Sequence, residues 1–287
     1  MRKPLASLAI CFALLASCLA FSTQVDAAAN DPLLAQQWGI FATGADRVWA
    51  VTTGLGVTVA VVDSGSGPHP DLAANLLPGR SFMNSTETQD GNDVDASGHG
   101  SHVAGIIAAA SNNGIGGSGV APNAKILPIK VLDQAGQGDA RDVAAGVRFA
   151  ADSGAKVINL SLGGASESPS LTQAIQYATD KGALVVAAAG NGGSTDKPKW
   201  PASLDLTIAV TAVDSSKNVT SFDQRGDYID IAAPGSSIVS TAKGDYVGLS
   251  GTSMAAGFVA GAAALLFAAE PRISNTQVRD ILLLTAT

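Results

Sequence analysis

A serine, a histidine, a carboxylate and an amide lie in this sequence where parallel-sheet proteins carry their chemistry. Ser253 stands between a Gly-containing turn and an Ala-rich apolar run. Its hydroxyl is therefore expected at a helix N-terminus, where unpaired N–H groups favour developing negative charge. His99 also opens a predicted helix, whereas Asp63 and Asn191 follow apolar segments typical of buried strands. A hydroxyl, an imidazole and a carboxylate together can perform nucleophilic catalysis.

The three histidines differ in how well each could serve as the base. A serine hydroxyl is a weak nucleophile that needs an imidazole to take its proton and a carboxylate to orient that imidazole. His69 lies in the turn P-H-P-D and is interpreted as structural, whereas His99 has a glycine on each side that leaves room for a substrate. His102 could form a metal pair with His99, but zinc helices read H-E-x-x-H and no acid lies between these two. We expect His102 to turn into the helix packing.

Each candidate also has an ordinary structural interpretation. Ser253 alone is typical of a helix N-cap, and Asn191 alone is typical of a Gly-Asn turn. The catalytic interpretation therefore requires that the fold bring the four side chains to one place.

The elements that must position these residues alternate along the chain. Short β-branched apolar runs are separated by segments of helical period, a pattern that predicts a doubly wound, mostly parallel α/β sheet with helices on both faces, in one domain. In such sheets, sites collect at the carboxyl ends of the strands, so Asp63, His99, Asn191 and Ser253 are expected on one rim. Strands are predicted at 57–62, 126–132, 156–162, 183–189, 206–213 and 228–232, and helices at about 100–111, 139–153, 170–181, 253–269 and 274–284.

Composition excludes several classes of protein. The chain has 287 residues, of which 46% are hydrophobic and 14% charged, so global disorder is excluded. The net charge is −7 and becomes −8 without residues 1–27. An acidic protein of this kind is not expected to bind nucleic acid or anionic membranes.

The first 27 residues have the pattern of a secretory signal peptide. Arg2 and Lys3 precede an apolar run that ends near the small-residue site at Ala27, after which we expect cleavage. The alternative is a lipoprotein signal, L-A-S-C, with Cys18 as the lipidated residue. Both cysteines lie in this leader, so residues 28–287 form an exported domain without disulfides and, we expect, without a membrane span.

Five sequence blocks carry the candidate residues in the order Asp, His, Ser. The blocks are A-V-V-D-S-G ending at 65, G-H-G-S-H-V-A-G starting at 98, N-L-S-L-G-G at 159–164, A-A-A-G-N ending at 191 and S-G-T-S-M-A-A at 250–256. Together they resemble the subtilisin family of secreted bacterial serine endopeptidases. The resemblance runs from about Asn30 to the C-terminus and implies a subtilisin-like three-layer fold.

This resemblance assigns a role to each catalytic candidate. Ser253 would be the nucleophile, His99 the general base and acid, and Asp63 the carboxylate that orients it. The side-chain amide of Asn191 and the backbone N–H of Ser253 would stabilise the oxyanion.

The resemblance also implies how polypeptide substrates bind. Two segments would hold an extended peptide between them as a third strand, an arrangement that gives broad specificity. The small residues of 163–164 and 188–190 would form the floor of the first specificity pocket, so large apolar side chains are expected there. Ordinary Gly-rich loops are the alternative interpretation. The segments are Gly136, Gln137 and Gly138 on one side, and Ser161, Leu162, Gly163 and Gly164 on the other.

A structural calcium site is the third implication. The family's calcium loop uses an Asn side chain and alternate backbone carbonyls, with carboxylates from elsewhere, and such oxygen ligands suit a hard cation. The loop is also an ordinary N-N-G turn signal. The implied ligands are Asp31, Asp71, Ser111, Asn113, Ile115 and Gly117.

The chain also departs from the family pattern. Gly257 stands where relatives usually have proline, which we expect to loosen the start of the helix, and Ser101 replaces a usual threonine. Few residues precede Asn30 after the leader, and the chain stops at Thr287, so we expect a peptidase domain without a pro-domain and with a truncated C-terminal end. An inactive, peptide-binding pseudoprotease is therefore the alternative function. We also expect a monomer.

Two other classes fit poorly. An α/β-hydrolase needs a G-x-S-x-G elbow and a histidine after the serine, but no histidine follows Ser253. A Rossmann nucleotide domain needs G-x-G-x-x-G after its first strand, whereas Gly54 and Gly56 precede the strand here.

Overall fold

The structure, a computed structural model, describes residues 30–88 and 94–286. The predicted leader, including Cys18, lies outside these residues. Ten strands occur among the described residues. They are β1 (Thr58–Asp63), β2 (Arg80–Met83), β3 (Thr86–Thr88), β4 (Lys125–Lys130), β5 (Val157–Leu160), β6 (Leu184–Ala188), β7 (Thr207–Val213), β8 (Ile231–Pro234), β9 (Ile238–Ala242) and β10 (Asp245–Leu249).

Seven α-helices and a short 3₁₀ helix, Leu34–Gln36, accompany the strands in the described part of the chain. The α-helices are α1 (Trp38–Thr43), α2 (Ala45–Val48), α3 (His99–Ala108), α4 (Ala140–Asp152), α5 (Pro169–Asp180), α6 (Thr252–Ala269) and α7 (Asn275–Thr285).

Eight strands form one sheet in the order β3-β2-β4-β1-β5-β6-β7-β8, and β9 and β10 form a separate antiparallel hairpin. All pairs in the large sheet are parallel except β2 with β3 at one edge. Strand β1 is central. The strands β2 to β4, which follow it in the chain, lie on one side of it in the sheet, and β5 to β8 lie on the other. The strand order therefore reverses between β1 and β5, and such a switch point opens a crevice at the carboxyl ends of the strands. The predicted fold class is confirmed.

Strand β1 separates two apolar cores. Val59 and Val61 belong to one core, and Ala60 and Val62 belong to the other, as the alternation of side chains along a strand requires. All four are buried. Helices α3 and α6 cover the first core, and α4 and α5 cover the second. Because both faces are covered, the central strands β1, β5 and β6 are apolar over most of their length.

Helix α6 lies at the centre of the first core. Among the described residues it is the one helix long and apolar enough to cross a membrane, yet 78% of that stretch is buried inside the fold. Gly257 lies against α3, where an added β-carbon would be 3.1 Å from the Cγ2 atom of Ile106. The glycine at this position therefore allows a close approach of the two helices that carry His99 and Ser253.

The predicted elements all occur, with bounds shifted by a few residues. The largest shifts are three residues: the last sheet strand, predicted at 228–232, is found at Ile231–Pro234, and α3, predicted at 100–111, is found at His99–Ala108. The sequence analysis missed β2 and β3 and the β9–β10 hairpin because polar residues interrupt these strands, so they show no continuous apolar run. It also missed the short helices α1 and α2.

Candidate active site

The candidate active site lies at the carboxyl edge of the sheet, where β1 and β5 are neighbours. Asp63 is the last residue of β1, and Ser161 directly follows β5. His99 is the first residue of α3, and Ser253 is the second residue of α6. Strand ends and helix starts thus carry these polar groups to one edge.

Asp63 and His99 are directly hydrogen-bonded. The His99 Nδ1 atom lies 2.8 Å from Asp63 Oδ1, and the carboxylate is fully buried. The same oxygen accepts a hydrogen bond from the backbone N–H of Ser64 at 2.7 Å, and the Ser64 hydroxyl, whose one proton is shared with Asp95, lies 3.1 Å away. The negative charge of Asp63 raises the pKa of His99 above its ordinary 6.5, while burial opposes this effect. A carboxylate acceptor at Nδ1 requires a proton there, so in the neutral imidazole Nε2 carries the lone pair.

A second buried carboxylate, Asp95, holds the start of α3. Its Oδ1 accepts from the backbone N–H groups of Ser97 and Gly98, at 3.0 and 2.7 Å, and from the Ser64 hydroxyl at 2.8 Å. Its Oδ2 accepts from the Ser101 N–H at 2.7 Å. These bonds fix the backbone on both sides of His99. The sequence analysis missed this residue, although an acidic side chain just before a helix is a usual capping signal.

The other two histidines are structural, as predicted. His102 is fully buried, and its Nε2 atom lies 3.0 Å from the Ile238 carbonyl and 3.1 Å from the Val247 carbonyl, so it ties α3 to the hairpin. Burial lowers the pKa of His102 to about 4. His69 is also buried, with Nε2 3.0 Å from the Asp245 carbonyl.

Ser253 lies in the first turn of α6, and its backbone N–H has no hydrogen-bond partner among residues 30–88 and 94–286. Its hydroxyl donates to the Ser161 carbonyl at 3.3 Å, and the Ser161 hydroxyl donates to the Ser253 carbonyl at 2.9 Å. In the described structure the Nε2 atom of His99 also has no partner, so it is free to accept a proton. Catalytic hydrogen bonds often tighten only when substrate is bound.

The amide of Asn191 is oriented by Thr252. The Asn191 Oδ1 atom accepts from the backbone N–H of Thr252 at 2.9 Å and from its hydroxyl at 3.0 Å. Because a backbone N–H can only donate, the amide oxygen must face Thr252. The Nδ2 donors are then left for another acceptor. This orienting role of Thr252 was not predicted from the sequence.

The two predicted substrate segments line one cavity of about 420 Å³. Asp63, His99 and Ser161 lie along the same cavity, and Leu132, Val143 and Leu171 add an apolar wall. One side of the cavity is formed by Gly136, Gln137 and Gly138, and the other by Ser161, Leu162, Gly163 and Gly164.

The residues of the two predicted substrate segments differ in whether their backbone N–H and carbonyl groups are free to bind a peptide. The N–H and carbonyl of Gly138 and of Gly163 have no partner among the described residues and could pair with a peptide. Gln137 instead bonds to Asp133 through both its N–H and its carbonyl. Gly164 bonds to Trp200 in the same way, at 2.8 and 3.0 Å. Gln137 and Gly164 therefore border the cavity, but their backbones are already occupied.

The prediction that only small residues form the floor of the first specificity pocket is incomplete. The side chain of Lys199 packs against Gly163 and Gly190, where added β-carbons would lie 3.2 Å from its Cβ and 2.8 Å from its Cγ. A charged residue from a later loop therefore enters a region that the sequence pattern left lined by glycine and alanine.

The predicted calcium residues are held together by hydrogen bonds. Asp71 accepts from the Asn113 amide at 2.7 Å and from the Gly117 N–H at 3.3 Å. Asp31 accepts from the backbone N–H groups of Asn112 and Asn113, at 2.9 and 3.1 Å. Burial raises the pKa of Asp71 above its ordinary 3.8.

The loop's oxygen atoms are compatible with a hard cation. The carbonyls of Ser111, Ile115 and Gly117 accept no hydrogen bond within residues 30–88 and 94–286, although Gly117 is buried. Unpaired buried carbonyls are uncommon, and carbonyls with two carboxylates are ligands that calcium accepts. No group of three or more His, Cys, Asp or Glu side chains that could hold a metal occurs among the described residues, so the carbonyls would be needed.

The fold is a mostly parallel α/β sheet that carries a hydrogen-bonded Asp63–His99 pair and the helix-start residue Ser253 at one edge. Comparison with known proteins identifies the family. The sequence profile of the Subtilase family matches residues 54–287. The chain belongs to the subtilase family of serine peptidases.

Individual relatives cover most of the chain. Thermitase from Thermoactinomyces vulgaris is 46% identical over 250 residues, which are 86% of this chain and 88% of thermitase. Subtilisin Savinase from Lederbergia lenta is 48% identical over 237 residues, 82% of this chain and 85% of the relative. An alkaline protease from Alkalihalobacillus alcalophilus is equally identical, but the match spans 60% of its length. The solved structure of Sphericase superimposes with a TM-score of 0.79 at 37% identity, covering 88% of this chain and 90% of that one.

Proposed function

We propose that this protein is an exported serine endopeptidase that cleaves peptide bonds through an acyl-enzyme on Ser253. The single observation that carries the proposal is the 2.8 Å hydrogen bond between Asp63 and His99 at the edge where α6 presents Ser253. A buried carboxylate at Nδ1 prepares the imidazole to take a proton at Nε2. Membership of a serine peptidase family supports the same assignment.

In the first half-reaction, the Ser253 oxygen attacks the carbonyl carbon of the substrate while its proton moves to His99 Nε2. The resulting imidazolium is stabilised by Asp63. The oxyanion accepts hydrogen bonds from the Asn191 amide and the Ser253 N–H, both of which lack other acceptors in the described structure. The carbon–nitrogen bond then breaks, and the amine leaves with the proton from His99.

In the second half-reaction, a water molecule attacks the acyl carbon and gives a proton to His99. Collapse of the second tetrahedral intermediate breaks the bond to Ser253, and His99 returns the proton to the serine oxygen. The catalyst is thereby restored, with Asp63 ionised throughout.

The substrates we propose are polypeptides in an extended conformation. Free backbone groups on Gly138 and Gly163, on opposite sides of the cavity, suit pairing with a peptide strand between them. Main-chain pairing recognises no particular side chain, so several residues of the substrate contribute affinity while the pockets select among sequences.

We also propose export and a structural calcium ion. Residues 1–27 would be removed as a signal peptide, residues 28–287 would form the peptidase domain, and the domain would act outside the cytoplasm. Asp31, Asp71 and the loop from Ser111 to Gly117 would hold the calcium. The ion would stabilise the folded state by mass action, because the unfolded chain does not assemble the loop.

The acyl-enzyme can be tested directly. Protein incubated briefly with p-nitrophenyl acetate and quenched in acid should gain one acetyl group on the peptide that contains Ser253, as read by mass spectrometry. Ser253→Ala should gain none and should not digest denatured casein. Acetylation of another residue at the same level in both proteins would contradict the proposal.

One observation favours the alternative of peptide binding without turnover. The Ser253 hydroxyl donates to the Ser161 carbonyl in the described structure and not to His99. If this bond persisted with a peptide bound, the chain would bind peptides and leave them intact. A casein-derived peptide that is retained but uncleaved by the wild-type protein would favour this alternative.

A further inference from the structure

The aliphatic stem of Lys199 crosses the base of the first specificity pocket, which we define as the space between Leu162–Gly163 and Ala189–Gly190. Its Cβ and Cγ atoms lie beside Gly163 on one wall and Gly190 on the other. Neither glycine could carry a side chain without displacing the lysine or another neighbour. The stem therefore spans from wall to wall, and it shortens the space that a large substrate side chain would need.

The charged end of Lys199 is paired with a carboxylate. Its Nζ atom lies 2.8 Å from Asp196 Oδ2, and the two side chains are 26% and 33% exposed. The carboxylate itself packs against Gly192, next to the oxyanion residue Asn191. An ammonium has three N–H donors, so two remain after the bond to Asp196.

A buried amide adds to the polar character of this base. Gln224 is fully buried, and its Nε2 atom donates to the Lys197 carbonyl at 2.7 Å, which holds the loop that carries Lys199. Its Oε1 atom lies beside Gly190 and has no hydrogen-bond partner in the described part of the chain. The Lys199 stem thus lies where the sequence predicts only small residues, and its ammonium is paired with Asp196. The unpaired Gln224 oxygen can only accept a hydrogen bond, so it offers nothing to a carboxylate.

We propose that Lys199 is a specificity-determining residue that makes the pocket prefer an acidic side chain, above all glutamate, over a large apolar one at the residue before the cleaved bond. This inference rests on the proposed function of the site. A glutamate carboxylate would accept a hydrogen bond from the free donors of Lys199, and charge-assisted bonds of this kind are strong. A phenylalanine ring would have to remove water from the Lys199–Asp196 pair without replacing its hydrogen bonds, which is unfavourable.

Basic side chains are not expected to benefit from Asp196. The Lys199 stem lies between the two walls, whereas Asp196 lies against Gly192 and already pairs with the ammonium. An incoming lysine or arginine would therefore meet a like charge. Short side chains such as alanine would avoid both effects and serve as a neutral reference.

The test compares succinyl-Ala-Ala-Pro-X p-nitroanilides in which X is glutamate, phenylalanine, lysine or alanine. We expect wild type to show a higher kcat/KM for glutamate than for phenylalanine. Lys199→Met keeps the stem but removes the charge, so it should lower the glutamate-to-phenylalanine ratio by about tenfold. Asp196→Asn should raise that ratio, because it frees the ammonium. Lys181→Met removes an exposed lysine that pairs with Asp152 and should leave the ratio unchanged.

Two results separate this inference from the proposed function. Labelling of Ser253 by a fluorophosphonate does not depend on the side chain at X. A labelled enzyme that prefers phenylalanine, or whose ratio is the same in Lys199→Met, overturns the role of Lys199 alone. A folded protein that is neither labelled nor active on any of the four substrates overturns both.

Discussion

His99 Nδ1 lies 2.8 Å from Asp63 Oδ1, and the other oxygen of that buried carboxylate has no hydrogen-bond partner in the described structure. The ionised carboxylate therefore accepts hydrogen bonds at one oxygen, mainly from His99 and from the backbone N–H of Ser64. The cost of burying the charge is offset mainly through that oxygen. Loss of the imidazole or of its protonated Nδ1 would leave the carboxylate less well compensated.

This relationship predicts how activity depends on pH. His99 must be neutral to accept a proton, and Asp63 raises its pKa above 6.5, so kcat/KM should fall as the pH drops through a value above 6.5. Asp63→Asn removes the main cause of the raised pKa of His99, and burial, which lowers that pKa, then outweighs the smaller effect of the Asp95 charge. The fall of kcat/KM on the acid side should therefore occur at a lower pH than in wild type, and kcat should be about 10⁴-fold lower. Initial rates from pH 5 to 10 measure both effects, and an unmoved acid limb would contradict the assignment.

The oxyanion assignment predicts graded losses at two residues. Asn191→Ala should lower kcat by about 10²–10³ with little change in KM, a magnitude taken from subtilisin itself. Thr252→Val keeps the shape of the side chain but removes the hydroxyl that orients Asn191, so kcat should fall about tenfold. Thr252→Ser restores the hydroxyl and should recover most of the rate. Equal activity in Thr252→Val and wild type would show that the backbone N–H alone orients the amide.

Replacement of Asp95 by asparagine should lower both stability and activity. In Asp95→Asn only one oxygen remains as an acceptor. The asparagine therefore cannot accept from both the Gly98 N–H, now bonded to Oδ1, and the Ser101 N–H, now bonded to Oδ2. The free energy of unfolding should fall by about 2–3 kcal/mol, and the Tm by roughly 4–10 °C. Because His99 is then misplaced, kcat/KM should fall on the order of 10²-fold below the unfolding temperature.

The control for Asp95 is Asp152→Asn. Asp152 is an exposed carboxylate at the end of α4 that pairs with Lys181. Its loss should leave kcat/KM unchanged and the Tm within about 2 °C, since exposed ion pairs contribute little. Normal activity of a folded Asp95→Asn protein would refute a positioning role for Asp95.

The calcium proposal predicts a Tm that depends on the free ion. Calcium at about 100 times its Kd should stabilise the fold by about 2.7 kcal/mol, which raises the Tm by roughly 5–10 °C relative to chelator. Asp31→Asn removes one carboxylate and should reduce this response, whereas Asp152→Asn should keep it. Differential scanning calorimetry checks both, and an identical Tm in calcium and in chelator would refute the site.

The sequence predicted much of the site because local rules position it. Asp63 and Asn191 follow strands, His99 and Ser253 begin helices, and in a parallel sheet these ends share one edge. The order of the motif blocks then assigned a role to each residue before any distance was known. The spacing of hydrophobic residues also predicted every long element. Both faces of the sheet are buried, so its strands and covering helices carry regular apolar patterns.

The features of the site that the sequence did not predict depend on contacts between segments that are distant in the chain. Lys199 lies beside Gly163 and Gly190 because the loop after β6 folds back over them, and no local pattern encodes that path. Thr252 orients Asn191 from 61 residues away. The hairpin of β9 and β10 was missed because its strands have five residues each and polar positions on both faces. It is stabilised by contacts with buried His102, which only the fold provides.

Labelling by a fluorophosphonate probe tests the central claim most directly, because the probe reacts only with a serine activated by its neighbours. Purified wild type should be labelled on the peptide that contains Ser253, while Ser253→Ala and His99→Ala should remain unlabelled, with Asp152→Asn labelled as fast as wild type. Each variant is first shown to be folded by circular dichroism. A folded wild-type protein that is not labelled would contradict the account.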